Sequence, residues 1–170
     1  MTAAWKILGE SGPGVPSIQA MSERLGVSRG SFYWHFDDRR DFRHAMLEHW
    51  QQVETDKVMR GMRDVTGPPA ARVQALAKFL GQNLEPGLEA LMHDWARADP
   101  EIADFLREEQ ERRIRFVTAM LRDAGCSPHD ARFRATAFAI LMAGWHLTRP
   151  ERNAVELVKY ARKLGELFGG

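Results

Sequence analysis

Residues 17–36 read SIQAMSERLGVSRGSFYWHF and contain two short predicted helices with a three-residue turn between them. Ser17 can cap the first helix and Gly26 can end it, because a serine hydroxyl accepts from a free helix N–H and glycine tolerates a left-handed backbone. Ser28 can cap the second helix in the same way. The apolar residues of the first helix fall on one face: Ile18, Met21 and Leu25. This pattern indicates a helix-turn-helix of the kind that binds DNA.

The second of these helices has a packing face and a polar face. Phe32 and Phe36 are four residues apart and point the same way. The other side chains carry hydrogen-bonding or aromatic tips: Arg29, Ser31, Tyr33, Trp34 and His35. In a major groove, Arg29 can contact guanine with two hydrogen bonds and Ser31 can contact either type of base edge. Tyr33 and His35 are better suited to phosphate oxygens.

Gly30 lies inside this helix, where glycine costs about 1 kcal/mol relative to alanine. Close approach of a partner such as a DNA backbone would explain its presence. The alternative for Tyr33, Trp34 and His35 is that they complete the core of a small helical lobe. For Trp34 the sequence supports both interpretations equally, because an indole ring is usually half-buried.

The segment GVSRGSFYWHFDDRRDF, residues 26–42, closely resembles the turn, recognition helix and next helix start of the tetracycline-repressor (TetR) family of bacterial transcription regulators. The resemblance implies phosphate contacts from Ser17, Tyr33, His35 and Arg39. It implies base reading by Arg29, Gly30 and Ser31, and core positions for Val27, Phe32 and Phe36. The complete predicted DNA-binding set is Ser17, Ser28, Arg29, Gly30, Ser31, Tyr33, Trp34, His35 and Arg39.

The specific resemblance covers residues 4–50, and HDWARADPEIADFLREEQERR at residues 93–113 resembles one branch of the same family. The family pattern predicts a DNA-binding domain at residues 1–46 and a ligand-binding and dimerisation domain at residues 47–170. Family members usually carry a basic arm before the first helix, whereas this chain begins MTAAWKIL with Lys6 as its early cation. Contacts from a basic arm are therefore not expected from these residues.

The composition is that of an ordinary soluble protein, and its overall charge does not require a nucleic acid partner. Lysine and arginine total 24 and aspartate and glutamate total 23, which gives a net charge of +1. Residues 24–43 carry five arginines and three aspartates, a modest local charge of +2. The single Cys126 excludes an intramolecular disulfide and a multi-thiolate zinc site within one chain. Without a signal peptide at its start, the chain is expected in the cytoplasm.

Helical signals recur along the chain and alternating strand patterns are missing from the sequence, so we predict an all-α fold of about nine helices. Helices are expected at residues 2–10, at the two segments described above, from Asp37 or Asp38 onward, and around the apolar faces at residues 73–84, 88–95, 102–124, 131–147 and 154–168. Pro86-Gly87, Asp99-Pro100 and Ser127-Pro128 open three of these later helices. Glycine and proline separate the later helices at residues 67–69, 86–87, 125–128 and 149–150. The most apolar run, residues 135–147, is too short to span a membrane.

The predicted helix at residues 131–147 is apolar all round, so both its sides must be covered. The next helix has an apolar stripe at Ala154, Leu157, Val158, Ala161, Leu164 and Phe168. Pairing of both helices with their copies in an isologous dimer would cover their remaining apolar surface. The alternative is that the helix at residues 131–147 is buried at the centre of its own chain. The resemblance favours the dimer. The predicted interface consists of Phe138, Leu141, Gly144, Trp145, Leu157, Ala161 and Leu164.

The predicted helix at residues 102–124 has charged residues within its apolar face. Its inward stripe reads Ile102, Leu106, Glu109, Arg113, Val117, Met120 and Ala124. Glu109 and Arg113 either form a solvated pair of small energetic value or are buried together and orient a polar ligand group. The predicted ligand pocket is lined by Phe79, Met92, His93, Trp95, Glu109, Arg113, Phe116 and Met120. The alternative for each apolar residue of this set is simple core packing.

The histidines lack metal-ligand spacing, and neither a catalytic triad pattern nor a phosphate-binding glycine loop occurs in the sequence. We therefore expect no enzyme, no metal and no cofactor. The predicted function is that of a homodimeric transcription regulator, a repressor that a small molecule releases from double-stranded operator DNA, with no membrane partner. The rival interpretation is a helical sensor of a small molecule or protein that has lost DNA binding.

Overall fold

The computed structural model describes residues 1–83, 87–148 and 163, and this part of the chain is all-α, as predicted. Its helices are α1 (Thr2–Ser11), α2 (Ile18–Leu25), α3 (Arg29–Tyr33), α4 (Arg39–Trp50), α5 (Lys57–Gly61), α6 (Pro69–Asn83), α7 (Leu88–Ala98), α8 (Pro100–Asp123) and α9 (Pro128–Thr148). The helix predicted at residues 154–168 lies outside the described residues. Among the described helices, none combines the length and the apolarity needed to cross a membrane.

Side-chain caps begin several helices at the positions that the sequence indicated. Ser17, Ser28 and Asp38 each accept a hydrogen bond from the N–H three residues later, at distances between 2.8 and 3.2 Å. Asp99 caps α8 by accepting from the N–H two residues later, at 3.0 Å. Gly26 ends α2 in the left-handed conformation, with φ of +64°. These caps fix where each short helix begins or ends.

Three phenylalanines hold α3 against the start of α4. The ring centroids of Phe32, Phe36 and Phe42 lie 4.9–5.2 Å from one another. Two expected core positions are wrong, because Leu25 and Val27 are exposed at 54% and 44%. Both flank the tight turn at Gly26, which holds their side chains outside the contacts that α2 makes with α1 and α3.

A π-helical turn, Gln51–Asp56, joins α4 to α5 within one continuous helical stretch, and we call it the π segment. Its wider turn is visible in the hydrogen bond from the N–H of Lys57 to the carbonyl of Gln52, five residues earlier. Glu54 and Thr55 of this segment are buried. The π segment thus places two polar side chains in the interior, at the point where the N-terminal helices meet the rest of the chain.

Buried apolar side chains form two clusters. The first joins α1–α4 to α7 and the start of α8 and includes Trp5, Trp50 and Trp95. The second joins α5, α6, the later part of α8, and α9. At the edge of the second cluster, Phe79 of α6 lies so close to Gly61 of α5 that a Cβ atom on Gly61 would be 2.2 Å from the ring.

Candidate nucleic-acid interface and ligand cavity

The outer surface of α3 carries large side chains that the fold leaves in solvent. Trp34 is 84% exposed and Tyr33 is 55% exposed, whereas Phe32 beside them is 6% exposed. The alternative in which Trp34 completes a core is therefore wrong. A shallow depression on this surface is lined by Gly30, Ser31, Trp34 and His35. A helix that only packs against its own chain has no use for an exposed indole ring. Exposed aromatic side chains are typical of a surface that binds a partner.

The predicted DNA-binding residues lie on the surface formed by α3 and the starts of α2 and α4. The residues of this set are all exposed: Ser17, Ser28, Arg29, Gly30, Ser31, Tyr33, Trp34, His35 and Arg39. Two of the cations are tethered at short range. Arg29 donates to the Gln19 side chain at 3.3 Å, and Arg39 donates to the carbonyl of Val15 at 2.7 Å. Both guanidinium groups are thus held near the helix-turn-helix surface.

Nothing within the described fold requires glycine at position 30. A Cβ atom built there would meet the Ser28 hydroxyl oxygen at 3.5 Å, which is an ordinary van der Waals distance. Its backbone is not in the left-handed region either, because Gly30 is not among the glycines with positive φ. The described fold therefore leaves room for a Cβ atom at position 30.

Several contacts tie the N-terminal helices to the rest of the chain. Arg43 of α4 forms ion pairs with Asp99 and Glu101 at the start of α8, at 3.2 and 2.9 Å. The indole of Trp5 meets that of Trp95 edge to face, with ring centroids 6.3 Å apart. A displacement of α7 or α8 would therefore be transmitted to α1 and α4 through these contacts.

Arg113 stands at the centre of a buried polar network. Its guanidinium donates to both carboxylate oxygens of Glu89, at 2.8 and 3.2 Å, and to the hydroxyl of Thr55 at 2.9 Å. It also stacks over the ring of Trp50, 4.7 Å from the ring centroid. Four interactions to α4, the π segment and α7 therefore fix one side chain of α8.

Glu109 belongs to a neighbouring part of the network. It accepts from Gln51 at 2.7 Å and pairs with Arg112 at 3.3 Å, and Arg112 also pairs with Asp56 at 2.5 Å. The Asp56 hydrogen bond raises the pKa of Arg112 above its ordinary value. The expectation of a solvated Glu109–Arg113 pair is wrong. Each of the two side chains is engaged with the π segment instead.

His93 lies at the margin of this network. Its Nε2 atom is 3.7 Å from a carboxylate oxygen of Glu89. Burial lowers the pKa of His93 below its ordinary value of 6.5, Glu89 opposes that shift, and Arg113 adds to it. The imidazole is therefore neutral at pH 7 and adds no positive charge to the network.

A cavity of about 70 Å³, enough for roughly five water molecules, lies between the π segment and helices α5–α9. Five polar side chains, which we call the polar wall, line one part of it: Glu54, Thr55, Glu89, Gln110 and Arg113. The rest of the lining is apolar: Val58, Met59, Leu76, Leu80, Ile114, Phe116, Val117, Ala135, Phe138, Ala139, Met142 and Ala143. Small-molecule sites have this composition, with a few convergent polar groups in an apolar enclosure.

Of the eight residues predicted to line a ligand pocket, Arg113 and Phe116 line this cavity. Met92 and Trp95 lie in the first core cluster, and Met120 lies in the second. Phe79 covers Gly61, whereas His93 and Glu109 contact the polar network from outside the lining. The assignment of Trp95 to the ligand pocket is wrong for this cavity, because Trp95 packs against Trp5 instead.

The remaining polar-wall residues were missed by the sequence analysis. Thr55 is 58 residues and Glu89 is 24 residues from Arg113 along the chain, so local periodicity could not join them. One feature of the sequence could nevertheless have indicated two of these residues, Glu54 and Glu89. Glu54 and Glu89 each stand beside apolar residues in strongly helical segments, where a carboxylate needs a partner once it is buried.

The predicted dimer residues divide between the two sides of α9. Phe138 faces inward and lines the cavity, so its assignment to the interface is wrong for the described fold. Leu141 is 39% exposed, and Phe133 and Ile140 on the same helix are 64% and 69% exposed. Gly144 and Trp145 are half-buried. Leu157, Ala161 and Leu164 lie outside the described residues.

Comparison with known proteins adds two findings to this geometry. The family model of bacterial regulatory proteins of the tetR family matches residues 1–46. A search of curated proteins returned no significant match.

Three solved structures share the fold of the chain. The fatty acid degradation regulator FadR from Bacillus halodurans is 15% identical with a TM-score of 0.71, and the match covers 99% of this chain and 92% of that one. A putative TetR-family regulator from Mesorhizobium loti is 22% identical with a TM-score of 0.71, covering 98% and 91%. A putative transcriptional regulator from Pseudomonas aeruginosa is 18% identical with a TM-score of 0.71, covering 99% and 88%. Residues 1–46 thus match the regulatory proteins of the tetR family, and the chain as a whole shares the fold of solved transcriptional regulators.

Proposed function

We propose that the protein is a dimeric repressor that acts on cytoplasmic DNA and is released from its operator by a small molecule. The observation that carries the proposal is the exposed α3 surface together with a polar-walled cavity that touches the same continuous helical stretch. A repressor of this kind needs a surface that reads DNA, a site that binds an effector and an element that connects the two.

The reading surface uses the predicted set of α2, α3 and α4 residues. Arg29, Gly30 and Ser31 face the base edges in a major groove, and Arg29 exchanges its hydrogen bond to Gln19 for two bonds to guanine. Ser17, Tyr33, His35 and Arg39 contact phosphates and set the register, with Ser28 and Trp34 at the rim of the contact. Two such surfaces in a dimer meet half-sites about one helical turn, or 34–36 Å, apart.

Dimerisation uses the outer face of α9. Phe133, Ile140 and Leu141 are apolar and exposed on one chain. A second copy of the same face would cover them in an isologous contact, which is the common geometry of homodimers. The inner face of α9 stays with its own chain, because Phe138 and Met142 line the cavity.

The π segment is the connecting element. Its Glu54 and Thr55 belong to the polar wall, and the same helical stretch continues into α4 and to the start of the reading surface at Arg39. A ligand that prefers one arrangement of the polar wall shifts α4, and with it the separation of the two reading surfaces. The size of the response is set by the difference in affinity between the two arrangements.

Replacing Arg29 by alanine is expected to weaken operator binding by about 1–3 kcal/mol and to relax base preference at one position in each half-site. Replacing Tyr33 by phenylalanine should weaken binding to all sequences alike, since a phosphate contact carries no base information. DNA fragments selected by the purified protein from a random pool supply the operator, and competition binding measures both effects. An equal loss on every sequence for Arg29→Ala would contradict the base-reading assignment. Failure to select any DNA would leave the helical sensor that has lost DNA binding.

Replacing Gly30 by alanine is expected to preserve or raise stability, by up to about 1 kcal/mol, because alanine restricts the unfolded chain and meets no obstacle in the fold. Operator affinity should fall, because the added methyl group holds α3 away from the groove floor. Thermal unfolding and DNA binding measured on the same preparation separate the two quantities. Ser11→Ala at the end of α1 is the matched control. Undiminished operator affinity would assign Gly30 no role in DNA contact.

A further inference from the structure

The depression on the surface of α3 has a floor that carries no side chain. Gly30 and Trp34 lie one helical turn apart, and the N–H of Trp34 donates to the carbonyl of Gly30 at 3.1 Å. Side chains of a helix lean towards its N-terminus, so the indole ring of Trp34 stands on the side of the turn that contains Gly30. The depression is therefore bounded by an aromatic ring and by Ser31 and His35, with bare backbone at Gly30.

The space beside the indole ring is open within the described fold. A Cβ atom at Gly30 would have the Ser28 hydroxyl oxygen at 3.5 Å as its one contact within 4 Å, so the ring of Trp34 is farther from it than that. The indole meets the imidazole of His35 edge to face, with ring centroids 5.2 Å apart and an angle of 88° between the planes. An apolar wall with room beside it is thus already formed on a residue that is 84% exposed.

DNA offers one apolar group that matches this depression. The C5-methyl group of thymine projects into the major groove, and apolar contact with it distinguishes a T·A pair from the other pairs. Arg29 directly precedes Gly30, and Arg39 is also exposed on this surface. Two exposed guanidinium groups favour a polyanion over an uncharged protein or lipid surface as the partner of the indole.

We infer that the depression formed by Gly30, Ser31, Trp34 and His35 receives the C5-methyl group of a thymine, so that Trp34 reads a base. The inference rests on the proposed function, which directs α3 into the major groove. Trp34 follows Arg29 by five residues, about 7.5 Å along a helix or about two base-pair steps. Each half-site therefore contains a thymine within about three base pairs of the guanine that Arg29 contacts.

Substitution of deoxyuridine for thymidine tests the contact, because it removes the methyl group and keeps the base pair. Each thymine of the selected operator is replaced in turn, and competition binding to the full chain is measured at constant salt. Burial of one methyl group predicts a loss of about fourfold for one half-site and roughly fifteenfold for both. At the sensitive position, 5-methylcytosine should bind more tightly than cytosine, since it restores the methyl group without restoring thymine.

Two variants assign the effect to the depression. Trp34→Ala should bind the thymine and uracil operators equally, to within about 1.5-fold, and the exposure of Trp34 means that the core is left intact. Gly30→Ala adds a methyl group of its own to the floor and should reduce the thymine preference to about twofold or less. Tyr33→Phe is the control. It should weaken both operators and keep the ratio between them, because its contact is to phosphate.

The outcomes separate this inference from the proposed function. A selected operator without any methyl-sensitive thymine would contradict the inference alone. A full thymine preference in Trp34→Ala would do the same, since the indole would then contact the DNA backbone. Failure to select any DNA would contradict the proposed function and the inference together.

Discussion

Replacing Arg113 by methionine is expected to lower the free energy of unfolding by about 3–5 kcal/mol, because it removes the guanidinium from the buried carboxylate of Glu89. The same change removes the hydrogen bond to Thr55 and the contact with Trp50. Methionine fills a similar volume, so the loss reports on charge and hydrogen bonding more than on a cavity. Urea unfolding followed by circular dichroism at 25 °C measures it.

The control for this experiment is Arg115→Met, an exposed position on the same helix, which should change stability by less than about 0.5 kcal/mol. Glu89→Gln introduced with Arg113→Met should recover part of the loss, because the carboxylate charge is removed together with the guanidinium. An Arg113→Met variant as stable as Arg115→Met would mean that the network contributes little to the fold.

Replacing Ile140 by glutamate is expected to split the dimer and to weaken operator binding by at least about a hundredfold. The reason is that a single dimer then no longer binds both half-sites at once. Ile140 is 69% exposed on one chain, so the substitution leaves the interior of the protomer intact. A carboxylate in an isologous contact also meets its own copy, and that like-charge contact adds to the cost. Light scattering gives the mass, and competition binding gives the affinity.

His129→Glu is the matched control, since His129 stands on the same helix with a side chain that is 93% exposed. It should leave both mass and operator binding unchanged. A monomeric mass for the unmutated protein at micromolar concentration would contradict the dimer. An Ile140→Glu variant that still has the dimer mass would place the interface on another face.

Trp95 connects the N-terminal helices to α7 and does not line the cavity. Trp95 is 1% exposed and packs against Trp5, so Trp95→Ala would disturb the attachment of α1 to α7 and could not report on ligand contact alone. Ala139 lines the cavity from α9, away from the contact between Trp5 and Trp95. A substitution there changes the cavity without removing that contact.

Local signals in the sequence were sufficient for the caps of the short N-terminal helices and for the surface of α3. Ser17, Ser28 and Asp38 act through bonds to N–H groups three residues away, so their effect is contained within a few residues of chain. The aromatic core of the helix-turn-helix also follows from short spacing, with Phe32 and Phe36 on one face and Phe42 as the fourth residue of α4. Family resemblance then supplied the interpretation of that surface as one that binds DNA.

Contacts between distant helices were decided only by the tertiary structure. The sequence predicted that Glu109 and Arg113 lie on one face of α8, but the four-residue spacing could not indicate that Arg113 would pair with Glu89 and that Glu109 would accept a hydrogen bond from Gln51. It likewise identified α9 as apolar all round without separating the cavity side, at Phe138, from the open side, at Ile140. Periodicity records which residues share a face of one helix. Which neighbour that face meets depends on how helices pack across 20 residues or more of intervening chain, and local pattern does not encode that choice.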